Sequence, residues 1–139
     1  DLKMSKSDEL EKNYIALLDD PDKVRKKLKR AVTDSSGEIK FDPVERAGVS
    51  NLLSILSAVT DKSIDDLVNE YAGQGYGRLK GDAGDAVVAF LGPMQARYQQ
   101  YQSDRGELAA ILKRGAEQAR SRARPMVDEV QSLIGFVPQ

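Results

Sequence analysis

Along this chain, apolar positions recur mainly every three or four residues, the pattern of helices that bury one face. Asp20-Pro21 marks a helix start, with Asp as the N-cap and Pro at the first helical position. Val24, Leu28 and Val32 repeat every four residues and give one narrow apolar stripe, on a helix expected to end near Thr33. Asp22 lies in its first turn and the basic residues of 26–30 lie toward its end, both suited to the helix dipole. Asp34-Ser35-Ser36-Gly37 reads as a turn, and residues 13–17 (NYIAL) and 38–41 as short extended stretches. After Asp42-Pro43 and Gly48, a helix is expected over 50–59. Its Leu52, Leu53, Ile55, Leu56 and Val59 should be central to a core. Ser63 with Asp66 resembles a capping box and opens a short helix to about Tyr71. Gly73, Gly75 and Gly77 then read as a loop.

Two long helices complete the pattern. The first, over about 79–102, carries Leu79, Ala83, Ala86, Val87, Phe90, Leu91, Met94, Tyr98 and Tyr101 at helical spacing. Gly92-Pro93 should kink it, because Pro lacks an amide donor and clashes with the preceding turn. Asp104 and Glu107 cap the second, which is expected to reach about Ile134 and to stop at Gly135. Its expected inward face is Leu108, Ile111, Leu112, Ala116, Ala119, Ala123, Met126, Val127, Val130 and Leu133, and Pro125 is a second kink. The expected fold class is all-α: a helical bundle whose two long C-terminal helices form an antiparallel hairpin, preceded by an irregular loop. A domain boundary is placed at residue 19, between a loop and connector (1–19) and the helical region (20–139).

Composition narrows the chemistry. The 139 residues are 40% apolar and 31% charged, a globular rather than disordered balance. Cysteine and histidine are both absent, so disulfides, thiolate metal sites and every Ser-His or Cys-His arrangement are excluded, and no metal site is expected. No run approaches the length of a membrane span and no signal-peptide pattern is present, so a cytoplasmic location is expected. The chain opens on Asp1 rather than Met, and its start is expected to be an introduced boundary.

Net charge is -1, but its distribution is uneven. Six of the eight residues over 23–30 are Lys or Arg. Over 97–124, seven basic residues stand against three acidic ones, a net of +4. Such patches either meet phosphates or are solvated helix faces. The run over 73–77 follows a helix rather than a strand, so it reads as a turn and not as a phosphate loop. Tyr98 and Tyr101 sit at core spacing, which favours packing over base stacking.

The informative segment is Lys3-Met4-Ser5-Lys6-Ser7. Two ammonium groups flank two hydroxyls, and Ser7 before Asp8 and Glu9 resembles a helix N-cap with free amides. That combination suits a polyphosphate; the plain alternative is a polar terminus. The five residues are identical to the KMSKS signature of class I aminoacyl-tRNA synthetases. Further blocks resemble the tryptophanyl-tRNA synthetase family in particular: residues 31–35 (AVTDS), 48–55 (GVSNLLSI), 75–80 (GYGRLK), 92–98 (GPMQARY) and 115–119 (GAEQA). They stand in the family's order over nearly the whole chain, whereas the tyrosyl-tRNA synthetase pattern is followed less well.

The resemblance implies that Lys3 and Lys6 bind the ATP phosphates and act catalytically, that Ser5 and Ser7 shape the same site, and that Met4 lies toward the adenine. It implies a two-step reaction. Tryptophan and ATP, with Mg2+, give tryptophanyl-adenylate, and the aminoacyl group then passes to the tRNA terminal ribose. A lysine that meets the departing pyrophosphate stabilises the transition state more than the ground state. The resemblance also implies a homodimeric parent and a helical C-terminal region that recognises the anticodon of tRNA(Trp). Arg97, Lys113, Arg114, Arg120 and Arg124 are the candidate tRNA contacts. The HIGH-type signature needs histidine and is not in this chain, nor are the Rossmann half and the amino-acid pocket. The chain is therefore expected to be a C-terminal fragment that is monomeric, holds no cofactor and is inactive alone. Binding without chemistry, by a helical module with basic faces, is the competing expectation.

Overall fold

The computed structural model describes residues 10–136. Among them the regular structure is helical throughout: a 3-10 turn, Glu11–Asn13, and five α-helices, α1 (Pro21–Lys29), α2 (Ala47–Thr60), α3 (Ile64–Tyr71), α4 (Gly75–Ser103) and α5 (Arg105–Leu133). The all-α class expected from the periodicity is the class found. The stretches 13–17 and 38–41 are not strands, although Tyr14 has extended backbone. The chain divides into two compact units, one ending at Gln95 and the other beginning at Ala96.

In the first unit α1 starts as its sequence dictates. The Asp20 carboxylate accepts from the Asp22 amide at 2.9 Å, and Pro21 needs no amide partner. Val24 and Leu28 are buried, but the helix ends at Lys29 and Val32 is 86% exposed, so the third member of the expected stripe is not in the core. The reason is tertiary. Gly48, in the first turn of α2, lies so close to the Val32 carbonyl that a Cβ there would overlap it. Lys80 Nζ also donates to Thr33 Oγ1 at 3.0 Å. The segment after Arg30 is thus held by α2 and α4 as non-helical chain.

α2 begins three residues before its expected start. Asp42 accepts the Val44 and Glu45 amides at 3.1 and 3.0 Å, and these bonds hold its carboxyl below the usual range. Val49, Leu52, Leu53 and Leu56 are buried on its inner face, and Asp61 ends it with φ 57°, a left-handed conformation that Asp tolerates. α3 opens with Ser63 Oγ accepting from the Asp66 amide at 3.1 Å, the half of the capping box the sequence announces. It buries Leu67 and Tyr71. Gly75, with φ 72°, starts α4, so Gly77 lies inside a helix rather than in the expected loop; the turn is confined to 72–74. Leu79, Ala83, Gly84, Val87 and Leu91 are the inner face of α4. At Gly84 the helix comes close to Arg25 of α1, where a Cβ would sit 3.4 Å from the Arg25 Cα.

Val24, Val49, Leu52, Leu53, Leu67 and Leu79 are the largest fully buried side chains, each stabilising the unit by roughly 1.5–3 kcal/mol through apolar burial. Tyr71 keeps its hydroxyl bonded at this core's edge, donating to Asp82 Oδ2 at 2.9 Å. Burial first, then the Asp82 carboxylate, pushes the Tyr71 phenol up to about 12. Phe90, a member of the apolar series of α4, is 59% exposed.

The second unit carries the end of α4 and all of α5. Both helices run uninterrupted through Pro93 and Pro125. Asp104 Oδ1 accepts from the Glu107 amide at 2.8 Å and caps α5. At the other end Gly135 has φ 82°, its amide bonds Ser132 O at 3.2 Å and the Phe136 amide bonds Gln131 O at 2.8 Å. That pair of bonds is the Schellman stop. No residue of α5 is buried, which corrects the expected inward face: Leu112 and Met126 are 64% and 63% exposed. Helical spacing fixes which side chains share a face, not whether a neighbour covers it. Tyr98 is likewise exposed, with its hydroxyl accepting from Gln102 Nε2 at 2.8 Å. No helix among the described residues is long and apolar enough to cross a membrane.

Candidate functional site

Lys3, Met4, Ser5, Lys6 and Ser7 lie outside the described residues. What is described is the connector that follows them and its attachment to α1. Lys23 Nζ meets the Glu11 carboxylate at 2.5 Å, tying the 3-10 turn to the helix. Asp19 is almost fully shielded and is the hub. One carboxylate oxygen accepts from Lys27 Nζ at 2.6 Å and from the Ala16 amide at 3.0 Å, and the other faces Lys23 Nζ at 3.3 Å. Burial alone would raise this carboxyl, but the bonds from Lys27, Ala16 and Lys23 outweigh it and hold it below its ordinary value. Lys27 Nζ also donates to the Tyr14 carbonyl at 2.7 Å and stands 5.0 Å from the Tyr14 ring centroid, within cation–π range. From α4, Gln95 Nε2 donates to the Leu17 and Asp19 carbonyls at 2.9 and 3.0 Å. Residues 11–19 are thus held at several separate points. The sequence signalled Asp20 as a cap but gave no sign that Asp19, Lys27 and Gln95 act together.

A second polar cluster grows from the AVTDS block. Tyr76, at the start of α4, donates to Asp34 Oδ1 at 2.6 Å and shares a 2.9 Å bond with the Ser36 hydroxyl. The Ser36 amide donates to the same Asp34 oxygen at 2.8 Å. Arg46 donates to Ser36 Oγ, to the Glu38 carbonyl and to Glu38 Oε2 at 2.8, 2.9 and 2.6 Å. Ser36 and Tyr76 together lower the Asp34 carboxyl to about 2. Beside this cluster lies an open cleft of about 300 Å³, lined by Asp34, Ser35, Ser36, Glu45 and Arg46. Most of its polar groups bond one another, so the cluster fixes a loop that sequence reading gave only as a turn. Among the described residues, no group of three or more His, Cys, Asp or Glu is placed to hold a metal ion.

The five candidate RNA contacts are all exposed. Arg97 is on α4, and Lys113, Arg114, Arg120 and Arg124 are on α5. At about 100° per residue, Lys113, Arg120 and Arg124 share one face of α5, whereas Arg114 stands a quarter-turn round. Arg124 is in an ion pair with Asp128 at 3.0 Å on the same helix. The flank away from Arg114 carries the exposed apolar residues Leu112, Met126 and Val130.

Comparison with known proteins gives this arrangement a context. The family model "tRNA synthetases class I (W and Y)" matches residues 1–92. The chain is 51% identical over 135 residues to a tryptophan-tRNA ligase of Corynebacterium glutamicum, covering 97% of this chain and 39% of that protein. It is 46% identical over 136 residues to tryptophan-tRNA ligase 1 of Streptomyces coelicolor, covering 98% and 40%. The crystal structure of tryptophanyl-tRNA synthetase from Mycoplasma pneumoniae is similar with a TM-score of 0.77 at 29% identity, covering 99% of this chain and 43% of that one. The chain therefore spans about two fifths of the length of the curated relatives it matches. With a family match across well over half of its residues, reaching from the KMSKS run to the middle of α4, the chain belongs to the class I tRNA synthetases of the W and Y family.

Proposed function

We propose that this chain is the C-terminal part of a tryptophan-tRNA ligase, which activates tryptophan with ATP and transfers it to tRNA(Trp). The observation that carries the reading is 51% identity, over 97% of the chain, to a protein of that name. The KMSKS run at 3–7 supports it independently. In this reading residues 1–19 belong to the catalytic domain and 20–139 to the tRNA-recognition region. Lys3 and Lys6 meet the ATP phosphates and stabilise the charge that grows on pyrophosphate as the carboxylate of tryptophan attacks the α-phosphorus. Met4, Ser5 and Ser7 shape that nucleotide site, and Mg2+ enters with ATP. The polar clamp of Asp19, Lys27 and Gln95 anchors the segment through which the loop joins the helical core. The exposed strip of Lys113, Arg120 and Arg124, with Arg97 and Arg114, supplies cations for the RNA. The parent acts as a homodimer in the cytoplasm, while the 139-residue chain is monomeric and does not charge tRNA alone.

The test is ATP–pyrophosphate exchange by the full-length ligase with Lys6→Ala alongside. Tryptophan-dependent exchange that collapses in the variant supports the reading. Tyrosine-dependent exchange would transfer the assignment to the sister enzyme of the same family. No exchange with either amino acid, from a folded full-length protein, would leave a helical RNA-binding module without chemistry.

A further inference from the structure

The proposed function gives α1, the most basic stretch of the chain, a part only through Lys27. Six of the eight residues over 23–30 are Lys or Arg, and the structure sorts them into two sets. Lys23 is engaged by Glu11 and Asp19, Arg25 by Asp22 and Asp85, and Lys27 by Asp19. These three cations occupy the neighbouring carboxylates and hold the fold together. Lys26, Lys29 and Arg30 have no ion-pair partner among the described residues, and all three are exposed.

Their spacing, i, i+3 and i+4, puts the three on one face with Cβ atoms roughly 5–6 Å apart. That face is opposite the buried Val24 and Leu28. Part of the arrangement suits the helix dipole, which favours cations in a last turn. Three adjacent like charges nevertheless repel, at about 0.2–0.5 kcal/mol per i,i+4 pair in an isolated helix. An unpaired cation can also take a new anion without first breaking an existing bond. The face carries no apolar side chain of α1, so it has nothing to fill a protein pocket or enter a bilayer. A phosphate backbone asks for charge on flexible stems and nothing more.

We propose that Lys26, Lys29 and Arg30 form a contact surface for the phosphodiester backbone of RNA, separate from the α5 cations. This rests on the tRNA-ligase reading and adds to it a surface on the element that follows the KMSKS connector. The experiment is fluorescence anisotropy of the 139-residue chain with a labelled tRNA(Trp) transcript, between about 50 and 200 mM salt. Wild type is compared with the triple variant Lys26→Gln, Lys29→Gln, Arg30→Gln, and with the charge-keeping Lys26→Arg, Lys29→Arg. Loss of three phosphate contacts lowers the slope of log K against log salt by about 2–3 and weakens binding at the lower salt about ten-fold or more. The charge-keeping variant retains the wild-type slope. Far-UV circular dichroism checks that every protein remains helical. Wild-type binding with an unchanged slope in the triple variant would overturn this inference and leave the ligase reading intact. No binding by wild type would overturn it together with the tRNA-binding role of this chain. Loss of binding to phosphatidylserine vesicles, with tRNA affinity unchanged, would assign the strip to a membrane surface instead.

Discussion

Replacing Lys27 by Met should remove the polar centre of the connector clamp while keeping an unbranched chain of similar length. The Lys27 side chain is 10% exposed and its Asp19 partner 8%. The ammonium group makes two charge-assisted hydrogen bonds, at 2.6 and 2.7 Å, and faces the Tyr14 ring. Removing one partner of a deeply buried ion pair costs about 3–5 kcal/mol, because a charge is left without its counter-charge. Here the carboxylate keeps the Ala16 amide and Lys23, so the expected loss is smaller, about 2–3 kcal/mol. With a urea m-value of about 2 kcal/mol/M, the midpoint should fall by roughly 1–1.5 M. The assay is urea unfolding followed by far-UV circular dichroism, with amide hydrogen exchange to place the loss within 11–28. The double variant Asp19→Asn, Lys27→Met should recover part of the stability, since no orphan charge remains. A Lys27→Met loss below about 1 kcal/mol, the range of solvated ion pairs, would refute the argument, as would a double variant that merely adds the two single losses.

Two further outcomes follow from the packing and the electrostatics. Gly48→Ala should lower Tm by an amount equivalent to about 1–3 kcal/mol, because the added Cβ overlaps a backbone carbonyl that cannot easily yield, whereas Gly115→Ala, in open space on α5, should not lower it. A neutral Gly48→Ala would mean that α2 and the 32–33 segment are not packed as described. Asp34 has a folded pKa lowered to about 2 from an ordinary 3.8, so its stabilising effect is present above pH 3.8 and lost as pH falls toward 2. Urea titrations of wild type and Asp34→Asn should differ most above pH 3.8 and converge near pH 2; a difference that persists there would remove the Asp34–Ser36–Tyr76 cluster as its source.

The local signals were legible where one turn of chain decides the outcome. Asp20-Pro21, Ser63 with Asp66, Asp104 with Glu107 and Gly135 each did what their chemistry demands, since a cap and its amides lie within a few residues. The failures came where distant chain decides. Val32 continues the Val24–Leu28 spacing, yet the approach of Gly48 keeps it out of the helix. Gly75 and Gly77 read as loop, but the turn needed only Gly73 and its neighbours. The apolar spacing of α5 and Tyr98 was read correctly as a face and wrongly as a buried one. The candidate site divides in the same way. The KMSKS residues were found by their identity, whereas Asp19 and Lys27 meet across a helix start, and Gln95 reaches them across more than seventy residues. No periodicity records such a meeting.

Among the described residues, the hydrogen bonds and ion pairs of this chain also displace titratable groups away from neutrality and not toward it. The chain contains no histidine and no cysteine, the side chains whose ordinary titration lies closest to pH 7. Among the described residues the displaced groups all move outward: Glu11, Asp19, Asp34 and Asp42 downward, Lys23 and Arg25 upward, and Tyr71 up to about 12. Modest changes in cellular or buffer pH therefore leave these groups in one protonation state, and the potential around α1 responds to ionic strength instead.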